Sequence, residues 1–200
     1  MIVRPYTVAD LPGLLTIQAE CFPPPFPPEL WWKREQIASH VDRFPAGALC
    51  VEDQGALLAS ATALIIPFVP AHPHHTWEDV ADGGYLGTHR DEGNTLYGID
   101  MAVRPAWRGR GLARMLYQAR FDLVRRLGLD RFLAGSRLAG WHRHQYLTPE
   151  AYAVEVAAGR LVDPVITPQM RAGLRPTAFL PGYIEDVESG HAALLMEWIP

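Results

Sequence analysis

The sequence predicts an α/β fold built on a mixed, largely antiparallel sheet of six to seven strands with helices on both faces. Three observations carry this. Short apolar runs bounded by turn residues alternate with stretches whose apolar positions recur at three- and four-residue steps. Strands and helices are interleaved, opening as strand, two helices and hairpin and closing on two further strands, a mixture that suits such a sheet. The 200 residues fit one domain spanning 1–200, and a chain of that size buries a substantial core.

Ile2-Val3-Arg4-Pro5 begins a short strand, and Thr7-Val8-Ala9-Asp10 has the form of a capping box opening a helix toward Phe22. Pro23-Pro24-Pro25 stops it. Pro27-Pro28-Glu29 is expected to start a second helix through Trp31, Trp32, Ile37 and Val41, since proline is tolerated in a first turn where its missing donor is unneeded. Ala48 to Glu52 and Ala56 to Phe68 read as strands joined by the hairpin turn Asp53-Gln54-Gly55. Residues 69 to 94, rich in Pro, His, Gly and Asp and without an apolar period, read as a long structureless loop, of the kind that works as a lid or binding loop. Leu96 to Val103 is the next strand, ended by Arg104-Pro105. From Gly111, Leu112, Met115, Leu116, Ala119, Leu123 and Leu127 form one stripe of a helix that stops at Gly128. A short strand follows from Arg131 to Ala134. Thr148-Pro149-Glu150 opens a helix ending near Gly159, and Thr167-Pro168 a very short one ending near Gly173. Leu174 to Leu180 and Ala192 to Ile199 close the chain as strands.

Composition narrows the function. A net charge of -4, with 48% hydrophobic and 20% charged residues, exerts no global pull on nucleic acid or anionic membrane, so any bound anion must be held locally. The apolar runs are too short to span a bilayer and the first residues lack signal-peptide character, so a cytoplasmic location is expected. Cys21 and Cys50 show no CxxC spacing and read as reduced thiols, not as a disulfide or zinc site.

The informative stretch runs from Tyr97 to Ala113, where a buried strand ends, a glycine-rich turn follows, and an amphipathic helix leaves directly. That geometry exposes the helix's first amides and the positive end of its dipole. Gly109 and Gly111 let backbone approach a ligand, and Arg108 and Arg110 add charge-assisted bonds, which favours a diphosphate over a carboxylate. A P-loop is excluded, because Leu112 and Ala113 follow Gly111 where Lys and Ser/Thr would be required. A Rossmann fingerprint would need Gly or Ala at Arg114 and an early βαβ unit. The plain alternative is a tight turn with solvated arginines.

The turn fits the pattern Arg/Gln-x-x-Gly-x-Gly/Ala, with Arg108, Gly111 and Ala113 in the defining positions, and so resembles the GNAT acetyltransferase superfamily. The run from Leu96 to Ala119, with Asp163-Pro164-Val165, Pro181-Gly182-Tyr183 and Ala192 to Trp198, resembles more closely the acetyltransferase module fused to bacterial carbon-nitrogen hydrolases. No stretch of these residues reads as the hydrolase half. The resemblance implies a sheet splayed between its fourth and fifth strands, with acyl-CoA, acetyl-CoA in the first instance, in the V-shaped gap and no metal. It also implies that Met101, Ala102 and Val103 bond the pantetheine arm and thioester, while Arg108, Gly109, Arg110, Gly111, Leu112 and Ala113 hold the diphosphate. The implied reaction is direct acyl transfer to a small-molecule or peptide amine. Edge strands of this fold often pair, which admits a homodimer.

An alkyl ammonium must lose a proton before it attacks, at a cost of about 4 kcal/mol at pH 7. Asp100, beside the acyl site, is the first candidate base, with the capping of a neighbouring amide as its competing role. Glu20 is a second, against a solvated helix face. The tyrosine that commonly reprotonates the thiolate in this family aligns with Gln169, which cannot act as an acid. Either Tyr146, Tyr152 or Tyr183 reaches in from another segment, Tyr183 first among them although packing is the favoured role of each tyrosine taken singly, or the thiolate leaves without an enzyme acid. His72, His74, His75 and His89 lie in the long loop with Glu78, Asp79 and Asp82 but lack helical pairing, so a lid touching the acceptor through Trp77 and Tyr85 is preferred to a metal site. Trp31, Trp32, Phe22 and Phe26 read as packing between the first two helices, or as an acceptor pocket. The rival class is a non-catalytic acyl-CoA-binding sensor, which Gln169 would suit, and a weaker one is an ATP-binding protein.

Overall fold

A computed structural model of the chain describes residues 1–23 and 31–200. Its strands are β1 (Ile2–Pro5), β2 (Ala48–Asp53), β3 (Ala56–Ile66), β4 (Thr95–Val103), β5 (Arg131–Arg137), β6 (Arg175–Leu180) and β7 (Ala193–Trp198). Its α-helices are α1 (Leu11–Cys21), α2 (Arg34–Arg43), α3 (Trp77–Ala81), α4 (Leu112–Leu127), α5 (Pro149–Ala157) and α6 (Ile166–Arg171). The strands form one sheet in the order β1-β2-β3-β4-β5-β7-β6. Every neighbouring pair is antiparallel except β4 with β5. The mixed, largely antiparallel seven-stranded sheet matches the expected fold class.

Strand alternation divides the core between two faces. Leu96, Phe132 and Ala134 point to one, where Tyr117 and Phe121 of α4 and Tyr152 and Val156 of α5 cover them. Leu49 and Val51 meet Leu112 and Leu116 of α4, whose burial contributes roughly 1.5–3 kcal/mol per side chain. Tyr97 and Leu133 point to the opposite face, under Val80 and Ala81 of α3. Ala48, Cys50 and Ala102 lie under Leu14 and Ile17 of α1 and Ile37 of α2.

The amino-terminal cap works as read: the Thr7 amide donates to Asp10 Oδ2 at 2.8 Å, and a short 3-10 turn (Val8–Asp10) leads into α1. Arg4 clamps the same carboxylate with two bonds, tying β1 to this cap. The second helix is corrected. It opens at Arg34, where Gln36 Oε1 takes the Lys33 amide at 2.9 Å, and Trp31 and Trp32 precede it. The Trp32 amide is held outside the helix by Gln18 Oε1 at 2.6 Å. The start expected at Pro27-Pro28-Glu29, and Phe26, lie outside the described residues.

The first long strand stops at Ile66, two residues early, because Asn94 Oδ1 captures the Phe68 amide. Residues 69 to 94 are not structureless. Thr76 and Asp79 form a reciprocal cap that opens α3, with bonds of 3.0 and 3.1 Å. Val80, Ala81 and Leu86 are buried, and α2 grips the segment through Gln36 to the Gly83 carbonyl and His40 to the Gly84 carbonyl. It forms a packed wall of the molecule. Toward the carboxy end, β5 extends to Arg137 by pairing with β7, and Asp163 rather than Thr167 caps α6, taking the amides of Val165 and Ile166.

Candidate active site

The site begins with a break in the sheet. β4 pairs with β5 only from Thr95 to Gly98, whereas β5 stays paired with β7 through Arg137 and β4 stays paired with β3 through Val103. A register shift between Thr62 and Ala63 leaves Ile99 as the extra residue of a bulge, and the two parallel strands part from there. Beyond the bulge the hydrogen-bond phase is set by the Arg104 amide, which donates to the Leu58 carbonyl at 3.0 Å. Alternation therefore turns Met101 and Val103 away from β3, so their amides face the gap. The Val103 carbonyl on this side accepts from Arg108 Nε at 3.1 Å and Cys21 Sγ at 3.2 Å. Met101 and Val103 thus line the gap, while the Ala102 side chain is buried toward α1.

Side chains repair the backbone groups that the bulge orphans. Asp100 Oδ1 takes the Thr62 amide at 2.7 Å, and Oδ2 takes the Trp32 indole at 3.3 Å. Trp77 donates its indole N–H to the Ile99 carbonyl at 3.0 Å. Arg120, reaching up from α4, donates to the carbonyls of Thr62 and Asp100 at 2.8 and 2.7 Å. It is fully buried, its Nε has no partner among the described residues, and burial lowers the pKa of its guanidinium. Asp100 therefore does cap a neighbouring amide, yet a carboxylate offers about four acceptor positions and two are used.

Past β4 the chain makes a 3-10 turn (Pro105–Trp107) and reaches α4 through Gly109 and Gly111, at φ +74° and +85°. A Cβ on either glycine would meet nothing within 4 Å, so backbone conformation, not crowding, requires them. Gly111 is the helix N-cap and brings no side chain to cover the first amides, and no acidic residue stands in the first turn. Leu112 is buried and anchors the helix start, while Arg108, Gly109, Arg110 and Gly111 are exposed. The Arg110 guanidinium stacks 4.7 Å over the Trp107 ring. Fixed donors, a helix N-terminus and two cations converge here, as anion binding requires.

The remaining candidates separate clearly. Glu20 is locked by two bonds to Arg104, at 2.9 and 2.6 Å, which hold its carboxyl below the usual range and tie α1 to the end of β4. Gln169 is buried beside Tyr117 on the α4 face. Tyr146 is 77% exposed and Tyr152 donates to Asp163 at 3.0 Å, so neither reaches the gap. Tyr183 is 2% exposed, and its ring covers Gly135, the β5 residue just beyond the last parallel pair, so closely that a Cβ there would clash with it. Its hydroxyl bonds Tyr97 of β4 at 3.0 Å, and Tyr97 bonds His75 at 2.6 Å. Burial raises both phenol pKa values and lowers that of His75.

Sequence reasoning missed Arg120, Tyr97, the indole bond of Trp77 and the separate fate of His75. Arg120 had a signal, since it lies four residues after Leu116 and three before Leu123, inside the buried stripe, whereas the expected stripe member Leu127 is exposed. Trp31 and Trp32 are half-buried, Trp32 packing against both the α1–α2 cluster and the α3 cluster. Among the described residues no group of three or more His, Cys, Asp or Glu could hold a metal, and no helix is long and apolar enough to cross a membrane.

Comparison with known proteins adds independent findings. A family model described as the Acetyltransferase (GNAT) family matches residues 11–139. The chain is 39% identical over 199 residues to the "Uncharacterized N-acetyltransferase YkwB" of Bacillus subtilis (strain 168), covering 99% of this chain and 88% of that protein. It is 34% identical over 200 residues to the "Probable hydrolase YhcX" of the same organism, covering 99% of this chain but 38% of that one. Among solved structures, the GphF GNAT-like decarboxylase in complex with isobutyryl-CoA superposes with a TM-score of 0.81 at 23% identity, covering 100% of this chain and 99% of that chain. That identity speaks for the fold alone.

Proposed function

The chain belongs to the GNAT acetyltransferase family, and on that premise we propose that residues 1–200 act as one unit that moves an acetyl or short acyl group from acyl-CoA to an amine by direct attack in a ternary complex. One observation carries the reading: a bulged β4 that leaves β5 at Ile99 leads straight into an uncapped helix N-terminus flanked by Arg108 and Arg110. In this proposal the amides of the turn before α4 and of its first residues, from Gly109 to Ala113, hold the diphosphate, and the amides of Met101 and Val103 hold the pantetheine arm and polarise the thioester carbonyl. The acceptor enters on the face carrying Trp32, Trp77 and Asp100.

Two protons must leave the nitrogen. Asp100 takes the first through its unused lone pairs, converting the bound ammonium to an amine, and in its ionised form it also draws the ammonium in. Tyr183 handles the second, exchanging a proton with the reacting atoms where the strands part. Glu20 is assigned no proton, because Arg104 engages both of its oxygens. The rival, an acyl-CoA sensor without turnover, leans on Gln169 in the usual acid position, and Tyr183 at the gap supplies the acid that Gln169 lacks.

A panel of primary amines, acetyl-CoA and a thiol reagent tests this. Amine-dependent release of CoA is expected; release that ignores the amine would overturn transfer to an amine, and no release at all would favour the sensor. Asp100→Asn keeps an acceptor for the Thr62 amide but loses the charge, so kcat/KM for the amine should fall about 100-fold. Unchanged turnover would remove Asp100 from the mechanism.

A further inference from the structure

The acetyltransferase reading requires one proton to travel from the attacking nitrogen to the departing sulfur, and a buried side-chain chain lies where the strands part. We propose that Tyr183, Tyr97 and His75 form a proton relay in which His75 is a positioning residue that stores the proton in transit. The inference rests on that reading and extends it to a histidine of the segment between β3 and β4.

The polarity of the chain follows from its end. His75 Nδ1 lies 2.7 Å from the Pro73 carbonyl, which can only accept, so Nδ1 carries the hydrogen. A neutral ring then leaves Nε2 bare, and the Tyr97 hydroxyl at 2.6 Å must donate to it. With its proton committed to His75, Tyr97 accepts from Tyr183 at 3.0 Å. The Tyr183 proton therefore points into the chain. Its oxygen, lying against Gly135 just past the last β4–β5 pair, keeps its lone pairs, and in the relay these meet the reacting atoms.

Packing fixes this arrangement. The His75 ring stands edge-on to Tyr97 and Tyr183, with centroids 5.2 and 5.7 Å away, and the Trp77 amide donates to the Tyr183 carbonyl at 2.7 Å. The titratable groups facing His75 are Asp79 of α3, His74 of its own loop and the two tyrosines. Burial outweighs Asp79 and keeps the imidazole neutral near pH 7. Unlike the tyrosines, His75 is only half-buried.

The step balances without a further reactant. The amine nitrogen forms its bond to the thioester carbon and passes a proton to Tyr183 Oη, while the Tyr183 proton moves to Tyr97 and the Tyr97 proton to His75 Nε2. The imidazolium so formed keeps its Nδ1 bond to Pro73. The carbon–sulfur bond then breaks with its electron pair on sulfur, the three protons move back, and Tyr183 protonates the thiolate. The net result is one proton carried from nitrogen to sulfur.

Nitrogen-15 NMR of the full chain, labelled at histidine and titrated with coenzyme A or with acetyl-CoA, tests the relay. The Nδ1-protonated tautomer is expected in the free protein. Coenzyme A, whose thiol can pass its proton inward, should raise the His75 pKa above its value with acetyl-CoA. Tyr97→Phe should abolish that difference without changing coenzyme A affinity. His75→Gln should lower kcat about 100-fold for the fastest amine of the panel at constant Kd for acetyl-CoA. An Nε2-protonated tautomer, equal titration with both ligands, or wild-type kcat in both variants would overturn the proposal. Failure of the wild type to bind either ligand would instead remove the acetyltransferase reading and the relay with it.

Discussion

Gly135 shows how much a single residue decides in this site. It leaves room for the Tyr183 ring directly beyond the last β4–β5 pair, and any Cβ there would collide with that ring. Gly135→Ala should therefore displace Tyr183 and cut turnover about 100-fold, while acetyl-CoA binding, which the proposal assigns to β4 and α4, stays near wild type. Parallel loss of turnover and binding in calorimetry would show that Tyr183 does not act where the strands part. At this scale the sequence was partly legible. Arg108, Gly109, Arg110 and Gly111 sit within four consecutive positions, and backbone chemistry reads over that range. His75, Tyr97 and Tyr183 are joined only by tertiary packing, across 22 and 86 residues of chain, so no local pattern could have brought them together. Asp100 is legible only as a carboxylate near the end of a buried strand, and its bonds to Thr62 and Trp32 depend on a bulge that side-chain alternation does not reveal.

Among elements, α4 has two duties: its first turn presents amides and its third turn sends Arg120 under the bulge. The guanidinium satisfies two carbonyls and lies 5.4 Å from the Phe132 ring. Arg120→Met keeps the volume and the helix but leaves the Thr62 and Asp100 carbonyls unpaired. A loss of about 2–5 kcal/mol in urea unfolding is expected, since each buried unpaired group costs ~1–3 kcal/mol. Stability within about 0.5 kcal/mol of wild type would show that water or a rearranged backbone takes over those bonds. Long periodic elements such as α4 and the β2–β3 hairpin were readable because their burial pattern is local. The start of α2 was not, since the Trp32 amide turns to Gln18 and the Lys33 amide to Gln36, bonds that no apolar period reveals. α3 was hidden by the composition around it, although Thr76 and Asp79 carry its cap in plain sequence.

For the whole molecule, pH reports how these elements are fastened together. His40 joins α2 to the sheet through Tyr6 and to the loop through the Gly84 carbonyl, and burial lowers its pKa, as it does for His75. Below about pH 6.5 the unfolded chain takes up protons at these histidines that the folded chain resists, so stability falls as pH falls. At the sheet edge, Arg4 holds Asp10 down to about 2, and that contribution is present above about pH 4 and lost as pH drops toward 2. Urea unfolding between pH 7 and pH 3 should show the first decline flattened in His40→Leu, after allowing for its lower starting stability, and the second flattened in Arg4→Ala. Identical slopes in variant and wild type would contradict the assignment.

Acyl-CoA recognition by the helix that leaves Gly111 underlies every catalytic assignment here. Isothermal titration of acetyl-CoA into the wild type and into the double variant Arg108→Glu, Arg110→Glu tests it most directly. The account predicts one saturable site per chain, at least tenfold weaker in the variant and weaker in the wild type as salt rises, because a diphosphate meets fixed amides and two cations. No uptake by the wild type, or equal uptake by the variant, would contradict it.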